Sequence, residues 1–206
     1  MKGSKIISLF IDTATNRFEM SLLIDTKAKV ITHENTKTVT EKSNLLINRL
    51  LMAENLKLED VDCFYTLLGP GSNTGIRVGV TICKIIHTLN PKSRIFGIDT
   101  LKLLNSGNGI SFLSDRAGNF FVYDGTKPKS EKINKDKIVE VLKKYENIYY
   151  EDLDETCKKI ILENNLDNKA KPLNIIQQMI NRKDIFDEYT DSEDKFLPIY
   201  EAKIWK

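Results

Sequence analysis

The chain has 206 residues, of which 41% are hydrophobic, and its 31 basic and 29 acidic side chains leave a net charge of +2. This length and apolar content suit one large domain or two lobes with their own cores, and the near balance of charge argues against a strongly basic nucleic-acid-binding protein. No apolar run approaches the roughly 20 residues that span a bilayer, so we expect a cytoplasmic protein with no membrane contact.

The first half of the chain alternates between strand and helix patterns. Three strand patterns joined by short polar turns predict an antiparallel meander, and helices and strands alternate after it. The predicted strands are residues 6–11, 17–24, 28–34, 62–68 and 94–98, and the predicted helices are residues 40–55, 74–89 and 100–104. This order predicts an α/β lobe with a mixed sheet.

Residues 105–109, with two glycines and two asparagines, are the most linker-like stretch. We place a boundary there between an N-terminal lobe, residues 1–104, and a reduced C-terminal lobe, residues 105–206. In the second lobe the predicted strands are residues 110–114 and 119–124, and the predicted helices are residues 135–145, 154–164 and 173–182. The lysine-rich residues 127–144 and the acidic residues 184–194 are interpreted as solvated surfaces.

The three cysteines, Cys63, Cys83 and Cys157, are odd in number and far apart in the sequence. Cys63 lies in a strand pattern and Cys83 in an apolar helix pattern. We therefore predict buried, reduced thiols rather than metal ligands or a disulfide framework. The two histidines form no HxxxH or HExxH pair, so no metal site is predicted.

Residues 67–79, LLGPGSNTGIRVG, place four glycines and a proline between a predicted strand and a predicted helix. Such a turn can bind an anion, because the backbone N–H groups at a helix N-terminus point outward and carry partial positive charge. The candidate phosphate- or nucleotide-binding residues are Gly69, Gly71, Ser72, Thr74, Gly75 and Arg77. The spacing matches neither a Walker loop nor GxGxxG, and a purely structural turn is the alternative.

The segment GPGSNTGIRVGV closely resembles the GPGSFTGLRIG signature of the TsaB/YeaZ family. Three further segments are similar to that family: SLFIDTATNRFEMSLL, ISFLSDRAGNFFVY and FLPIYEAK. Arg116 in the second of these carries over from the family's Asp-Ala-Arg motif. Asn73 stands where the family usually has Phe, and Lys42 stands near the position of an expected His.

The resemblance implies an actin/Hsp70-like (ASKHA, ribonuclease H-like) α/β fold of two lobes, the second reduced. It also implies a non-catalytic scaffold subunit of the complex that makes N6-threonylcarbamoyladenosine (t6A) next to the tRNA anticodon. The implied partners are a TsaD-like catalytic subunit and a TsaE-like ATPase, with tRNA met only through the complex and a homodimer when the chain is alone. No intrinsic cofactor is implied, and ATP or ADP is expected only at the interface with partner subunits.

The distribution of glycine argues against an independent enzyme. An actin-like ATPase closes glycine turns from both lobes around its nucleotide, because other residues resist the backbone angles required, yet residues 126–206 contain no glycine. The alternatives are a free-standing actin-fold ATPase or small-molecule kinase, and a glycoprotease-like peptidase. In an ATPase, Asp12 and Thr13 would hold a metal-bound phosphate; the simpler interpretation is a polar turn whose side chains bond the backbone.

The helices predicted at residues 40–55 and 74–89 have apolar residues around more than half of their circumference. A surface helix normally has one apolar stripe, so the surplus face indicates a protein interface. Leu46 and Leu50, one turn apart, and Ile82 and Ile86 are the candidate partner-binding ridges. The alternative is that both helices are buried inside their own fold.

Overall fold

The structure, a computed structural model, describes residues 5–33, 39–115, 118–189 and 196–199. Within these residues the chain forms two mixed β-sheets with helices packed on them. In chain order the elements are β1 (Ile7–Asp12), β2 (Phe18–Ile24), β3 (Lys27–His33), α1 (Val39–Met52), β4 (Cys63–Gly69), α2 (Asn73–Leu89), β5 (Arg94–Asp99), α3 (Thr100–Leu104), β6 (Ile110–Ser114), β7 (Phe120–Tyr123), β8 (Glu131–Ile133), α4 (Lys135–Lys143), β9 (Ile148–Glu151), α5 (Glu155–Glu163), β10 (Ala170–Leu173), α6 (Ile175–Asn181) and β11 (Asp187–Tyr189).

The first sheet has the strand order β11-β5-β4-β1-β2-β3. Strands β1, β2 and β3 form the predicted antiparallel meander, while β4 pairs parallel to β1 and β5 parallel to β4. Every residue of β4 is buried, as expected of a parallel strand at the centre of a sheet covered by helices. The predicted α/β lobe with a mixed sheet is confirmed.

The second sheet repeats this plan in the order β8-β7-β6-β9-β10. Strands β6, β7 and β8 form an antiparallel meander, β9 pairs parallel to β6, and β10 pairs parallel to β9. Each half of the chain therefore has a three-stranded meander followed by two parallel strands, with one helix after each of the third, fourth and fifth strands. The carboxyl ends of equivalent strands can then border a common cleft.

Four short strands of the second half, β8 to β11, were not predicted from the sequence. Strand β8 lies inside the lysine-rich segment and has only three residues, of which Glu131 and Ile133 are buried. Residue 173, predicted to begin a helix, instead ends β10, and Asn174 caps α6 by accepting a hydrogen bond from the Gln177 N–H at 2.9 Å. Such short elements give too little periodicity for a pattern to identify.

The C-terminal part of the chain returns to the first sheet. Strand β11 pairs antiparallel with β5, and α6 packs against β1 and β2. Phe186 and Phe196 are buried in the hydrophobic core of the first sheet. Segments late in the sequence therefore contribute to the core of the first sheet. The boundary between lobes at residues 104 and 105 stays a prediction.

Cys63, Cys83 and Cys157 are buried free thiols, as predicted. Over the residues that the structure describes, none of the helices combines the length and the apolar character required to cross a bilayer.

Candidate functional site

The carboxyl-terminal ends of strands from both sheets border one cavity of about 390 Å³. Ala14, Thr15 and Asn16, which follow β1, form one side, and Gly71 and Ser72, which follow β4, continue it. The opposite side comes from the ends of β6 and β9 and the start of α5. In α/β folds this edge of a sheet is where ligands bind, so the cavity is the candidate site.

The glycines of the predicted phosphate loop allow two turns to pack directly against each other. A Cβ atom on Gly75 would lie 1.6 Å from the carbonyl oxygen of Thr13, and one on Gly71 would lie 2.6 Å from that of Ala14. The Ser72 N–H donates to the Ala14 oxygen at 2.7 Å, and the Thr13 hydroxyl donates to the Gly75 oxygen at 2.7 Å. Close backbone packing thus accounts for these glycines, while phosphate binding by the loop stays a prediction.

The other residues predicted to bind phosphate lie around this contact. Gly69 begins the turn with φ of +107°, and the Ser72 hydroxyl caps α2 by accepting a hydrogen bond from the Gly75 N–H at 3.3 Å. Thr74 and Arg77 have exposed side chains at the start of α2. Of the predicted phosphate-binding set, Gly71 and Ser72 are the members found among the described lining residues of the cavity.

Asp12 ends β1 and is fully buried behind the wall of the cavity. Its Oδ1 accepts hydrogen bonds from the N–H groups of Ala14 at 3.0 Å and Thr15 at 3.2 Å, and its Oδ2 accepts one from the Thr15 hydroxyl at 2.5 Å. Burial raises the pKa of Asp12 to about 7, against the opposing effect of these hydrogen bonds. Asp12 and Thr13 thus both bond backbone groups, as the polar-turn interpretation expects, and their binding of a metal-bound phosphate stays a prediction.

The turn between β9 and α5 supplies acidic residues to the opposite wall. Glu151 is 4% exposed, and burial, together with the nearby charge of Asp12, raises its pKa to about 8. Its Oε2 accepts a hydrogen bond from Asn16 Nδ2 at 2.8 Å. The buried Asp154 carboxylate accepts hydrogen bonds from the Ser114 N–H and hydroxyl, each at 2.9 Å, and thereby fixes the end of β6 to the start of α5.

Polar contacts join the two sides of the cleft. Besides the bond between Asn16 and Glu151, the Arg17 guanidinium binds Asp152 at 2.9 Å and Glu19 at 3.2 Å. Glu19 pairs with Asp12 in the register of β1 and β2, so these charges lie close to the end of β1. The contacts hold the β1–β2 turn against the end of β9.

The electrostatic character of the cavity is acidic. Its described lining residues include the carboxyl groups of Asp115, Glu151, Asp154 and Glu155 but no lysine, arginine or histidine. An anionic ligand would therefore meet charges of its own sign at close range. Glu151 and Asp154 belong to no motif that identifies a site, and the only signal is a run of acids after the apolar residues 148–150. Arg116, which matches the arginine of the family's Asp-Ala-Arg motif, lies outside the described residues.

The predicted partner-binding ridges require correction. Leu46 and Leu50 are 3% and 1% exposed, so these two candidate residues are buried within the chain and offer no surface to a partner. Ile86 is 5% exposed but lines a groove between α1 and α2. Leu46 and Leu50 lie on the side of α1 that packs against the first sheet. The sequence alone could not identify this side, because it determines the width of an apolar surface but not the rotation of the helix about its axis. Ile82 is half-buried. The exposed apolar side chains of these two helices are Leu45, Met52, Ile85 and Leu89.

A groove of about 320 Å³ runs between α1 and α2. Ile82, Ile85 and Leu89 of α2 line it, together with Asn44 and Asn48 of α1. We call this surface the α1–α2 groove. It combines an apolar ridge with amide groups that can form hydrogen bonds.

No protein-family model matches the chain. A Mycoplasma pneumoniae protein described as "Uncharacterized protein MG208 homolog" is 34% identical over 122 residues, which cover 57% of this chain and 61% of that protein. The chain therefore spans about three fifths of the length of this relative.

Two solved structures have a similar fold. YeaZ from Pseudomonas aeruginosa matches with a TM-score of 0.50 and 16% identity, covering 63% of this chain and 65% of that chain. A crystal structure described as an uncharacterized protein with similarity to peptidase YeaZ from Pseudomonas aeruginosa matches with a TM-score of 0.66 and 13% identity, covering 95% and 99% of the two chains. Similarity at this level of identity shows the fold alone. The chain has the actin-like α/β fold, and the predicted fold class is confirmed.

Proposed function

We propose that the chain is a member of the TsaB/YeaZ family and a non-catalytic scaffold subunit of the complex that makes t6A next to the tRNA anticodon. It binds and activates a TsaD-like catalytic subunit, works with a TsaE-like ATPase, and meets tRNA only through the complex. ATP or ADP binds at the interface with these subunits rather than within the chain. In the absence of partners, the chain pairs with itself through the same surface.

The position of the family-like motif in the fold supports this proposal. The segment GPGSNTGIRVGV spans the β4–α2 turn of a chain whose fold is similar to that of YeaZ. Its Gly75 packs against the backbone of Thr13, which lies in the family-like segment SLFIDTATNRFEMSLL. Two segments that resemble the same family therefore meet in space and together fix the start of α2.

The main support for a scaffold role is the exposed apolar surface at the α1–α2 groove. Ile82, Ile85 and Leu89 follow one another at spacings of three and four residues and so form one ridge on α2. Ile85 is 53% and Leu89 76% exposed, whereas surface helices of monomers usually turn such side chains inward. An apolar ridge flanked by amides suits the core and rim of a protein interface.

The acidic cleft favours the scaffold role over the free-standing ATPase or kinase. The first half of the chain places a glycine turn between β4 and α2, but the equivalent turn between β9 and α5 reads EDLDE in residues 151–155. Asp154 caps α5 there: its carboxylate accepts a hydrogen bond from the Cys157 N–H, a donor that a phosphate at this helix N-terminus would need. A nucleotide phosphate would have to approach Glu151 and Asp154 without a described cation on the wall.

Co-expression with the TsaD-like subunit tests the proposal. We expect the two chains to elute as one complex in size-exclusion chromatography with light scattering. Ile85→Glu would bury an unpaired charge at the interface, which costs several kcal/mol and weakens pairing by roughly a hundredfold or more. Ile85→Glu should leave the fold of the single chain intact, because position 85 is exposed in it, and should weaken self-pairing as well.

Leu162→Glu is the matched control, since Leu162 is an equally apolar side chain, 59% exposed, on α5 in the other half of the chain. We expect this variant to pair normally. Failure of the unaltered chains to form a complex, or normal pairing by Ile85→Glu, would contradict the proposed interface.

A further inference from the structure

Two buried polar atoms at the cleft cavity lack a hydrogen-bond partner within the described parts of the chain. They are the hydroxyl of Thr100, a residue that is 0% exposed, and Oε1 of Glu151, which is 4% exposed. Both residues line the cavity of about 390 Å³. Buried polar atoms are nearly always satisfied in native proteins, so two such atoms at one cavity point to a ligand that supplies hydrogen-bond donors.

The charges around Glu151 indicate that the donor is positively charged. Asp12 approaches from β1, and Asp152 and Asp154 approach from the turn after β9; all three raise the pKa of Glu151. Arg17 is already engaged by Asp152 and Glu19. A cationic donor at Glu151 Oε1 would form a charge-assisted hydrogen bond and offset the surrounding negative charge.

The size and the walls of the cavity favour an organic cation over a metal ion. Leu104, Leu113 and Leu153 line it, so a hydrocarbon group can bind beside the acids. Its volume falls in the usual range of small-molecule sites. A hard metal ion needs several oxygen ligands around one point, and in the described residues no three His, Cys, Asp or Glu side chains are grouped in that way.

We propose that the cleft binds a small alkylammonium compound. Its ammonium group donates to Glu151 Oε1, the Thr100 hydroxyl provides a second polar contact, and its hydrocarbon part packs against the three leucines. This inference goes beyond the scaffold role and is independent of it, because the cleft and the α1–α2 groove have no lining residue in common.

Binding should be linked to a proton. The raised pKa of Glu151, about 8, leaves this carboxyl mostly protonated at pH 7, whereas an ammonium ion binds the carboxylate. Complex formation therefore releases a proton at pH 7, and affinity rises between pH 7 and pH 9. Asp12, with a pKa of about 7, titrates in the same region and favours binding in the same direction.

The test is isothermal titration calorimetry of the full chain at pH 8 with n-butylammonium as the probe. Butyrate, which has the same number of carbon atoms and the opposite charge, and magnesium ADP are the anionic comparison ligands. We expect butylammonium to bind and the two anions not to bind at the same concentrations. Repeating the titration at pH 7 in buffers of different ionisation enthalpy should show proton release.

Glu151→Gln should weaken butylammonium binding about tenfold or more, because it removes the charge and keeps the shape. The control is Glu146→Gln, whose exposed carboxylate lies in the same half of the chain, and it should bind as the unaltered protein does. Equal affinity of Glu151→Gln and the unaltered chain would show that butylammonium does not bind at Glu151 and would overturn the proposal.

NMR spectroscopy of the unaltered chain tests butylammonium binding at the cleft even if Glu151→Gln fails to fold. Butylammonium should shift the backbone amide NMR signals of Thr100, Leu113 and Glu151, and butyrate should leave them in place. No shift at these residues, or equal shifts with butyrate, would overturn the proposal.

Discussion

Gly75, a single residue without a side chain, allows the closest approach between the two turns at the site. Replacing it with alanine would place a Cβ atom 1.6 Å from the Thr13 oxygen, so the backbone must move. We expect Gly75→Ala to lower the free energy of unfolding by about 1–3 kcal/mol, measured by urea denaturation. Thr74→Ala, at an exposed neighbouring position, should change it by less than about 0.5 kcal/mol. Equal stability of the two variants would show that α2 can move away from the turn without cost.

The buried carboxyl of Glu151 makes stability depend on pH. Its pKa of about 8 exceeds the ordinary value of 4.5, so the folded chain binds this proton more strongly than the unfolded chain. The stability contributed by the neutral carboxyl is complete below about pH 4.5 and is lost as pH rises to about 8. Asp12 acts in the same direction between about pH 3.8 and 7.

Glu151→Gln should therefore gain stability relative to the unaltered chain as pH rises from 5 to 8, on the order of 1 kcal/mol per pH unit. Thermal melts across this range measure the difference. Glu146→Gln should follow the unaltered protein at every pH. Parallel melting curves for Glu151→Gln and the unaltered chain would mean that Glu151 is ionised in the folded state.

At the scale of elements, long patterns were predictable and short ones were not. The β1–β3 meander, β4, α2 and β5 follow from strand runs, polar turns and helical spacing. Strands β8 and β11 have three residues each, too few for a pattern to identify. Strand β11 also depends on pairing with β5, which is distant in the sequence, so no local pattern encodes it. For the same reason the acidic wall at Glu151 could not be predicted, because it depends on where β9 pairs in the second sheet.

The rotation of α1 about its axis also depends on tertiary packing. Leu50 is 1% exposed against the first sheet, whereas Leu45 is 42% exposed. We expect Leu50→Ala to lower the free energy of unfolding by about 2–5 kcal/mol and Leu45→Ala to lower it by less than about 1 kcal/mol, measured by chemical denaturation. Similar losses at both positions would indicate that the exposed face of α1 is covered in the isolated chain.

At the scale of the whole molecule, the two sheets share one plan but differ at the turns that face the cleft. The first half presents glycines packed against the β1–β2 turn, and the second presents Glu151 and Asp154. The chain thus has the actin-like fold, and the cleft between its two sheets is lined by acidic residues. The exposed side chains of Ile85 and Leu89 lie at the α1–α2 groove, the proposed partner-binding surface.

Reconstitution of t6A formation tests the scaffold role most directly. Unmodified tRNA and a threonylcarbamoyl donor are supplied to the TsaD-like and TsaE-like subunits with ATP, with and without this chain, and t6A is measured by mass spectrometry of tRNA nucleosides. We predict repeated turnover only when the chain is present, and neither t6A formation nor ATP hydrolysis by the chain alone. Equal t6A formation without the chain, or ATP turnover by the isolated chain that is lost in Asp12→Ala, would contradict the account.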